Sequence, residues 1–266
     1  MSSQSHAPLE TTRERPFSTP SVYMAPPDLT EGVGNAAFAG EMGPVSESTS
    51  ILALAEQEGP NLKPPAPLKA GVLDQAAGKA LLTAAFGKLK TIDGGKMQVL
   101  AQADFQVAYD AVYGAGKFSW AKYVVPTFGN LEGFAHVGTN YINADIASAD
   151  TVPHEMLHLN RSADFTATMG HEFMEGTTEY MTIHAMNTAG KTPTHSYPNQ
   201  ESAVQLAIAA GVSAADLFAA YLIGGTKTKV FDVIEAKCKG PAAAVVTDME
   251  AKSWASAKAR LAKKTP

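Results

Sequence analysis

The first 68 residues of the chain differ in composition from the rest, and this difference limits where a folded domain can form. Ser, Thr, Pro, Gly and Glu dominate there, for example in "STPSVYMAPP" and "GPNLKPPAPLKAG". Such segments bury too little apolar surface to offset the entropy lost on ordering. We therefore predict a largely disordered arm over residues 1–68, with one short helix over 46–59, and a single folded domain over residues 69–266.

Apolar periodicity in the second part of the chain predicts a domain of class α+β that is mainly α. The stretches 73–89, 103–114, 148–160 and 166–190 have helical spacing, and so do four further stretches after residue 200. Residues 133–146 are rich in aromatic and β-branched side chains with turn residues between them, which is typical of one or two strands. A small sheet among many helices is therefore expected.

Charge and cysteine content exclude several classes of protein. The chain carries 21 basic and 26 acidic side chains, a net charge of -5, which argues against a nucleic-acid partner. The single cysteine, Cys238, excludes an intrachain disulfide and a cysteine-based metal site. Because neither a secretory signal pattern nor a long apolar stretch is present, we predict a soluble protein without a membrane partner. We expect synthesis in the cytoplasm, with export by a signal-independent system left open.

The stretch "TVPHEMLHLN" at 151–160 contains the pattern His-Glu-x-x-His. Residues four apart lie on one face of a helix, so His154 and His158 can direct ring nitrogens at one metal ion. Glu155 follows the first histidine and can reach a metal-bound water as general base. Asp150 and Pro153 are suited to the first turn of this helix, Asp150 as a capping acid.

Two carboxylates compete for the place of a third ligand. Asp164 lies six residues after His158, the spacing of enzymes that use a glycine three residues after the second histidine; here that position is Arg161. Glu175 is separated from His158 by sixteen residues, enough for a second helix to return beside the first. Both alternatives stay open on spacing alone.

A third residue, His171, shares a helix face with Glu175 at i,i+4 spacing and is a further alternative ligand. We expect it instead at the start of the second helix, in contact with solvent or a neighbour. Glu172 points to another side of the helix and is predicted to be a surface charge.

The pairing of "HEMLH" with "EGTTEY" resembles the gluzincins, the thermolysin-like zinc metallopeptidases. The resemblance implies that Glu175 is the third zinc ligand and that Glu179, one turn later, orients a ligand histidine. It also implies an edge strand, within "GFAHVGTNYIN", that holds extended peptide over the zinc site. The chain departs from the family at Met174, where Asn is frequent, and in a spacer slightly shorter than that of thermolysin.

A peptidase also needs a donor for the oxyanion of the tetrahedral intermediate. The segment "THSYPNQESAVQLAIAAG" supplies Tyr197, the first candidate, and His195, the second. Other aromatic or imidazole side chains near the motifs are alternatives, namely Tyr141, Tyr180 and His184.

These features predict zinc-dependent hydrolysis of a polypeptide substrate, with Glu155 as general base. We expect an endopeptidase, because nothing resembles the free-amine recognition motif of aminopeptidases. The alternative from another class is a non-catalytic metal-binding protein, either structural or a cargo of a delivery system. The arm together with the absence of a signal pattern is typical of an effector or toxin that engages a secretion or injection apparatus through its N-terminus.

Removal of residues 1–65 tests the predicted division of the chain. The shortened protein is expected to keep its melting temperature within a few degrees, because a disordered arm contributes no buried apolar surface. Circular dichroism during heating measures this, and a large fall in the melting temperature would contradict the division.

Overall fold

The computed structural model describes residues 65–113 and 119–264, which form mostly helices and one small sheet. The predicted class, α+β and mainly α, is confirmed. The predicted arm up to residue 64, with its short helix over 46–59, lies outside the described residues. Residues 65–68 are described: Ala66 N donates to Val99 O at 3.0 Å, and Ala66 and Leu68 pack against the main core.

The sheet has three strands in the order β1-β3-β2, namely β1 Lys96–Leu100, β2 Gly133–His136 and β3 Thr139–Asn143. β1 pairs parallel with β3, whereas β2 and β3 form an antiparallel hairpin. The sequence pattern over 133–146 predicts one or two strands, and the structure has two, whereas β1 gives no comparable signal. β2 is an edge strand of this sheet.

Helices account for most of the remaining described residues. The predicted helices over 73–89 and 103–114 are confirmed with slightly different ends, and Asp74 caps the first by accepting from Ala77 N at 2.8 Å. Along 65–113 and 119–264, no helical segment combines the length and apolar character that a membrane crossing needs. The α-helices are α1 Gln75–Phe86, α2 Gln102–Tyr113, α3 Val125–Phe128, α4 Thr151–Asn160, α5 Ala163–Thr188, α6 Pro198–Ala210, α7 Ala214–Leu222, α8 Asp232–Lys237, α9 Ala242–Glu250 and α10 Trp254–Leu261, with π-helical turns at Trp120–Val124 and Lys227–Phe231.

The prediction of a single helix over 247–264 is wrong. α9 ends at Glu250 and α10 begins at Trp254, because Lys252 adopts a left-handed conformation with φ 54°. The two helices pack against each other, so the break turns the C-terminal segment back on itself. Helical periodicity gives no sign of this turn, since lysine is a good helix former.

The helix that carries "EGTTEY" is also broken, at Gly170 within the predicted helical stretch 166–190. Gly170 has φ 75° and ψ 175°, so α5 consists of two helical parts that meet there. At the break, Glu250 Oε1 accepts a hydrogen bond from Glu172 N at 2.9 Å. A Cβ at position 170 would lie 2.5 Å from the same oxygen, and residues with a side chain rarely adopt this positive φ, so glycine is favoured here. A carboxylate from α9 thus caps the second part of α5.

The helix α4 packs against other elements on most of its circumference. It contacts α1 and α5 as well as β2 and β3, and nine of its ten residues are buried. Its polar side chains must therefore find partners inside the protein, since a buried polar group without a partner is costly.

The capping contact of Glu250 gives a stability prediction. Glu250→Ala is expected to lower the free energy of unfolding by about 1–2 kcal/mol, the usual effect of losing a helix cap. Urea denaturation measures this difference. Glu250→Gln is the matched control, because its amide oxygen can still accept from Glu172 N; equal losses in both variants would contradict the capping role.

Candidate metal centre

Two helices bring three predicted ligands together. His154 Nε2 lies 3.5 Å from Glu175 Oε2, and His158 Nε2 lies 3.4 Å from the same oxygen. One ligand atom from each of the three residues lies within 4.8 Å of the others. All three side chains are buried. The group can therefore hold a metal ion.

The spacing of these atoms can be compared with the geometry of a tetrahedral ion. Bonds of about 2.0–2.1 Å place two ligands of a tetrahedral zinc ion about 3.4 Å apart. The two separations from Glu175 Oε2, 3.5 and 3.4 Å, are close to this value. Three protein ligands leave a fourth position of such an ion open to water.

Of the alternative ligands, Asp164 is not part of this group. Its carboxylate is exposed, and Asp164 Oδ2 accepts from Thr226 N at 2.6 Å. This bond is the largest cause of the lowered pKa of Asp164. The geometry therefore favours Glu175 as the third ligand.

His171 lies at the start of the second part of α5, as expected from its position. Its Nε2 is 3.8 Å from Glu175 Oε1, the oxygen that does not face His154 and His158, and its side chain is 18% exposed. It is a neighbour of the ligand carboxylate and does not belong to the group of three.

Glu179 contacts the outer side of the first histidine. Its Oε2 lies 3.2 Å from His154 Nδ1, and its Oε1 accepts from Ser196 N at 2.6 Å. This is the position from which a carboxylate fixes the tautomer of a ligand histidine so that Nε2 faces the metal.

The predicted general base, Glu155, is fully buried beside these ligands. Among the described residues neither of its carboxyl oxygens has a hydrogen-bond partner. Burial is the largest cause of its raised pKa, and the nearby carboxylates Glu175 and Glu132 raise the pKa further. The edge strand approaches it closely: a Cβ on Gly133 would lie 2.8 Å from Glu155 Cγ.

The pKa values of the metal-free ligands show an uneven charge distribution. Burial lowers the pKa of His158 to about 4. Burial acts in the same direction on His154, but hydrogen bonds to Glu175 and Glu179 outweigh it and raise its pKa to about 10. Glu175 has a pKa well below its ordinary value: burial opposes this shift, and the interactions with His158 and His154 outweigh it. An ionised carboxylate thus faces a protonated His154 and a neutral His158.

The two predicted oxyanion donors lie in different environments. The ring of Tyr197 stacks on that of His154, with centroids 5.6 Å apart and planes 13° from parallel. Burial raises the pKa of Tyr197 well above its ordinary value, so the hydroxyl stays protonated. His195 is 57% exposed, and its Nδ1 contacts Glu201 Oε2 at 2.8 Å. Hydrogen bonding to Glu201 is the largest cause of the raised pKa of His195.

The rings of the three alternative donors contact other aromatic side chains. Tyr141 stacks on Phe134 at 4.4 Å, which places it on the sheet. Tyr180 and His184 both pack against Phe218. Of the five candidates, Tyr197 is the one with a ring contact to a residue of the metal centre.

Two expectations from the sequence are wrong. Glu172 is not a surface charge: it is buried, and its Oε2 accepts from Gln200 Nε2 at 2.9 Å. Asp150 precedes α4, but its side chain makes no capping bond with that helix. Its Oδ2 instead accepts from Thr194 N at 2.6 Å. Helical periodicity cannot reveal such partners, because they come from distant parts of the chain.

Glu132 is a buried acid near the site that sequence reasoning misses. Its Oε2 accepts from Ser148 N, Ser148 Oγ and Thr151 Oγ1 at 2.9, 2.7 and 2.6 Å. Only its place directly before the predicted strand could have drawn attention to it.

No model of a known protein family, no curated protein and no solved structure matches the chain. The arrangement of the site therefore has to be interpreted from its own geometry and chemistry.

Paired substitutions test the ligand set. Glu175→Ala is expected to lower zinc affinity by at least about 100-fold, because it removes an ionised ligand. Asp164→Ala is the matched control and is expected to leave affinity within about threefold, since it removes a carboxylate outside the group. Competition with a chromogenic chelator measures both affinities, and the reverse result would favour the ligand set with Asp164.

Proposed function

We propose that this protein is a zinc-dependent peptidase, and specifically an endopeptidase of gluzincin type. The observation that carries the proposal is Glu155, a buried carboxyl group without a hydrogen-bond partner among the described residues, next to three candidate ligands. A site that only holds a metal has no need of such a group. A hydrolase needs one, because a base must take a proton from the attacking water.

His154, His158 and Glu175 would hold the zinc ion, and Glu179 would keep the His154 ring in the required tautomer. Bound zinc supplies a Lewis acid that lowers the pKa of a water molecule towards about 7. Glu155 accepts the proton of the attacking water and returns it to the amine of the leaving product. A nearby cation also lowers the pKa of Glu155, which favours the carboxylate form that a base requires.

Tyr197 is the proposed donor to the developing oxyanion. Its ring lies against His154, and its raised pKa keeps the phenol protonated, so that it can donate. The edge strand β2 is the proposed site for extended peptide, because no other described strand pairs with its outer edge. Gly133 lets this strand pass close to Glu155, which would place the peptide near the base.

A second candidate is a non-catalytic protein whose metal stabilises the fold. The observation in its favour is the burial of the whole centre: His154, Glu155, His158 and Glu175 are each at most 6% exposed. Structural metal sites are closed in this way, whereas catalytic sites admit substrate.

For both candidate functions, we propose that the N-terminal arm directs the protein to a secretion or injection apparatus as an effector or toxin.

Glu155→Gln separates the two candidates. The variant is expected to bind zinc at the wild-type stoichiometry. Its cleavage rate is expected to fall by about 100- to 10,000-fold, the usual contribution of a general base. Metal analysis and digestion of a peptide library measure the two properties.

Glu172→Gln is the matched control for this experiment, because it removes another buried carboxylate of the same size outside the ligand group. It is expected to retain cleavage. Normal cleavage by Glu155→Gln would refute the mechanism, and zinc binding by a wild type that cleaves no peptide would favour the structural candidate.

A further inference from the structure

The segment that connects α5 to α6 is held against the metal centre by two backbone bonds. We name this segment, residues 191–197, the strap. Thr194 N donates to Asp150 Oδ2 and Ser196 N donates to Glu179 Oε1, each at 2.6 Å. Both acceptor carboxylates are buried, and hydrogen bonds to charged groups are stronger than those between neutral groups. The strap ends at Tyr197, directly after these two bonds.

The side chain of Asp150 bonds to the strap and does not cap the helix that follows it. It occupies the position before α4, yet the backbone carbonyl, not the side chain, bonds to that helix: His154 N donates to Asp150 O at 3.1 Å. The side chain points to the strap through Oδ2, and its Oδ1 lies 3.0 Å from Ser148 Oγ. Its carboxylate therefore joins the start of the histidine-bearing helix to the strap.

The same contacts continue to the other side of the site. Ser148 Oγ also lies within donating distance of Glu132 Oε2, at 2.7 Å. Glu132 directly precedes Gly133, the residue that touches Glu155. The buried carboxylates of Glu132 and Asp150, joined by the half-buried Ser148, thus connect the strand beside the general base with the strap that carries Tyr197.

We propose that Asp150 is a positioning residue that fixes Tyr197 beside the metal centre, acting through the strap. Glu179 holds the strap from the side of His154, and Asp150 holds it from the start of α4. With both bonds in place, the Tyr197 ring stacks on His154. The effect of Asp150 on catalysis rests on the proposed function, whereas its effect on the strap does not.

The test compares three variants of the full chain, with and without zinc. Asp150→Ala removes the acceptor of the Thr194 N–H. Asp150→Asn keeps an oxygen that can accept this bond and is the rescue variant. Asp164→Ala is the matched control, because Asp164 also accepts a backbone N–H at 2.6 Å, from Thr226, but lies outside the metal centre.

Hydrogen exchange of peptides covering the strap is the first measurement. Asp150→Ala is expected to speed exchange of the strap amides by about 10- to 100-fold, the effect of losing one hydrogen bond to a charged group. Asp150→Asn and Asp164→Ala are expected to leave the strap within about twofold of wild type. Zinc affinity should change less than about threefold in all variants, since no ligand is altered.

Steady-state cleavage of one peptide from the library digest is the second measurement. Asp150→Ala is expected to lower kcat by about 10- to 100-fold with little change in KM, because a displaced donor weakens binding of the transition state more than that of substrate. A variant that unfolds is recognised by fast exchange throughout the chain. If Asp150→Ala unfolds, Asp150→Asn decides, because its neutral oxygen accepts a weaker bond: strap exchange up to about twofold faster than in Asp164→Ala supports the inference, and exchange equal to that of Asp164→Ala overturns it.

The outcomes distinguish this inference from the proposed function. Unchanged strap exchange in folded Asp150→Ala would overturn the inference, and so would faster exchange with unchanged kcat. If wild-type protein binds zinc but cleaves no peptide, the proposed function fails, and the exchange results alone decide whether Asp150 holds the strap.

Discussion

The contact of one buried carboxylate with two imidazoles determines how the helices of this domain meet. Glu175 Oε2 lies within 3.5 Å of both histidine Nε2 atoms, so α4 and the second part of α5 must approach closely. Burying two imidazoles and a carboxylate separately would cost free energy, because each would lose its contact with water. When they are buried together, they can pair with one another or bind a cation. Because α4 is covered on most sides, small shifts of either helix would leave these groups without partners.

Buried and capping carboxylates join distant segments of the chain at several places. Glu250 accepts a backbone N–H from the break in α5, Asp164 accepts one from the loop after α7, and Asp150 and Glu179 accept two from the strap. Each bond combines a full charge with a backbone dipole and satisfies an N–H that lies outside regular helix bonding. Acidic side chains thus fix loops and a helix break, while apolar side chains fill the core.

Part of the fold and site could be predicted from the sequence because the signals are local. The i,i+4 histidines, the following Glu155, and the helical phase of Glu175 and Glu179 depend on helix geometry alone. The presence of strand structure over 133–146 also follows from the composition of that stretch. The break at Gly170, the partner of Asp150 and the burial of Glu172 could not be predicted, since each depends on a residue from another element. Glu132 has no local signal, because its three donors lie sixteen and nineteen residues away.

Because of the break at Gly170, the number of residues between His158 and Glu175 does not by itself determine how the two motifs face each other. The direction of the second part of α5 is set by Gly170 and by the carboxylate of Glu250, which belongs to a helix near the C-terminus. Residues between His158 and the break therefore do not by themselves determine the helical phase of Glu175. Chains with the same centre could lengthen or shorten that stretch and still return a glutamate to the histidines. In distant relatives, a glycine five residues before the third ligand would then be a better guide than a fixed spacer.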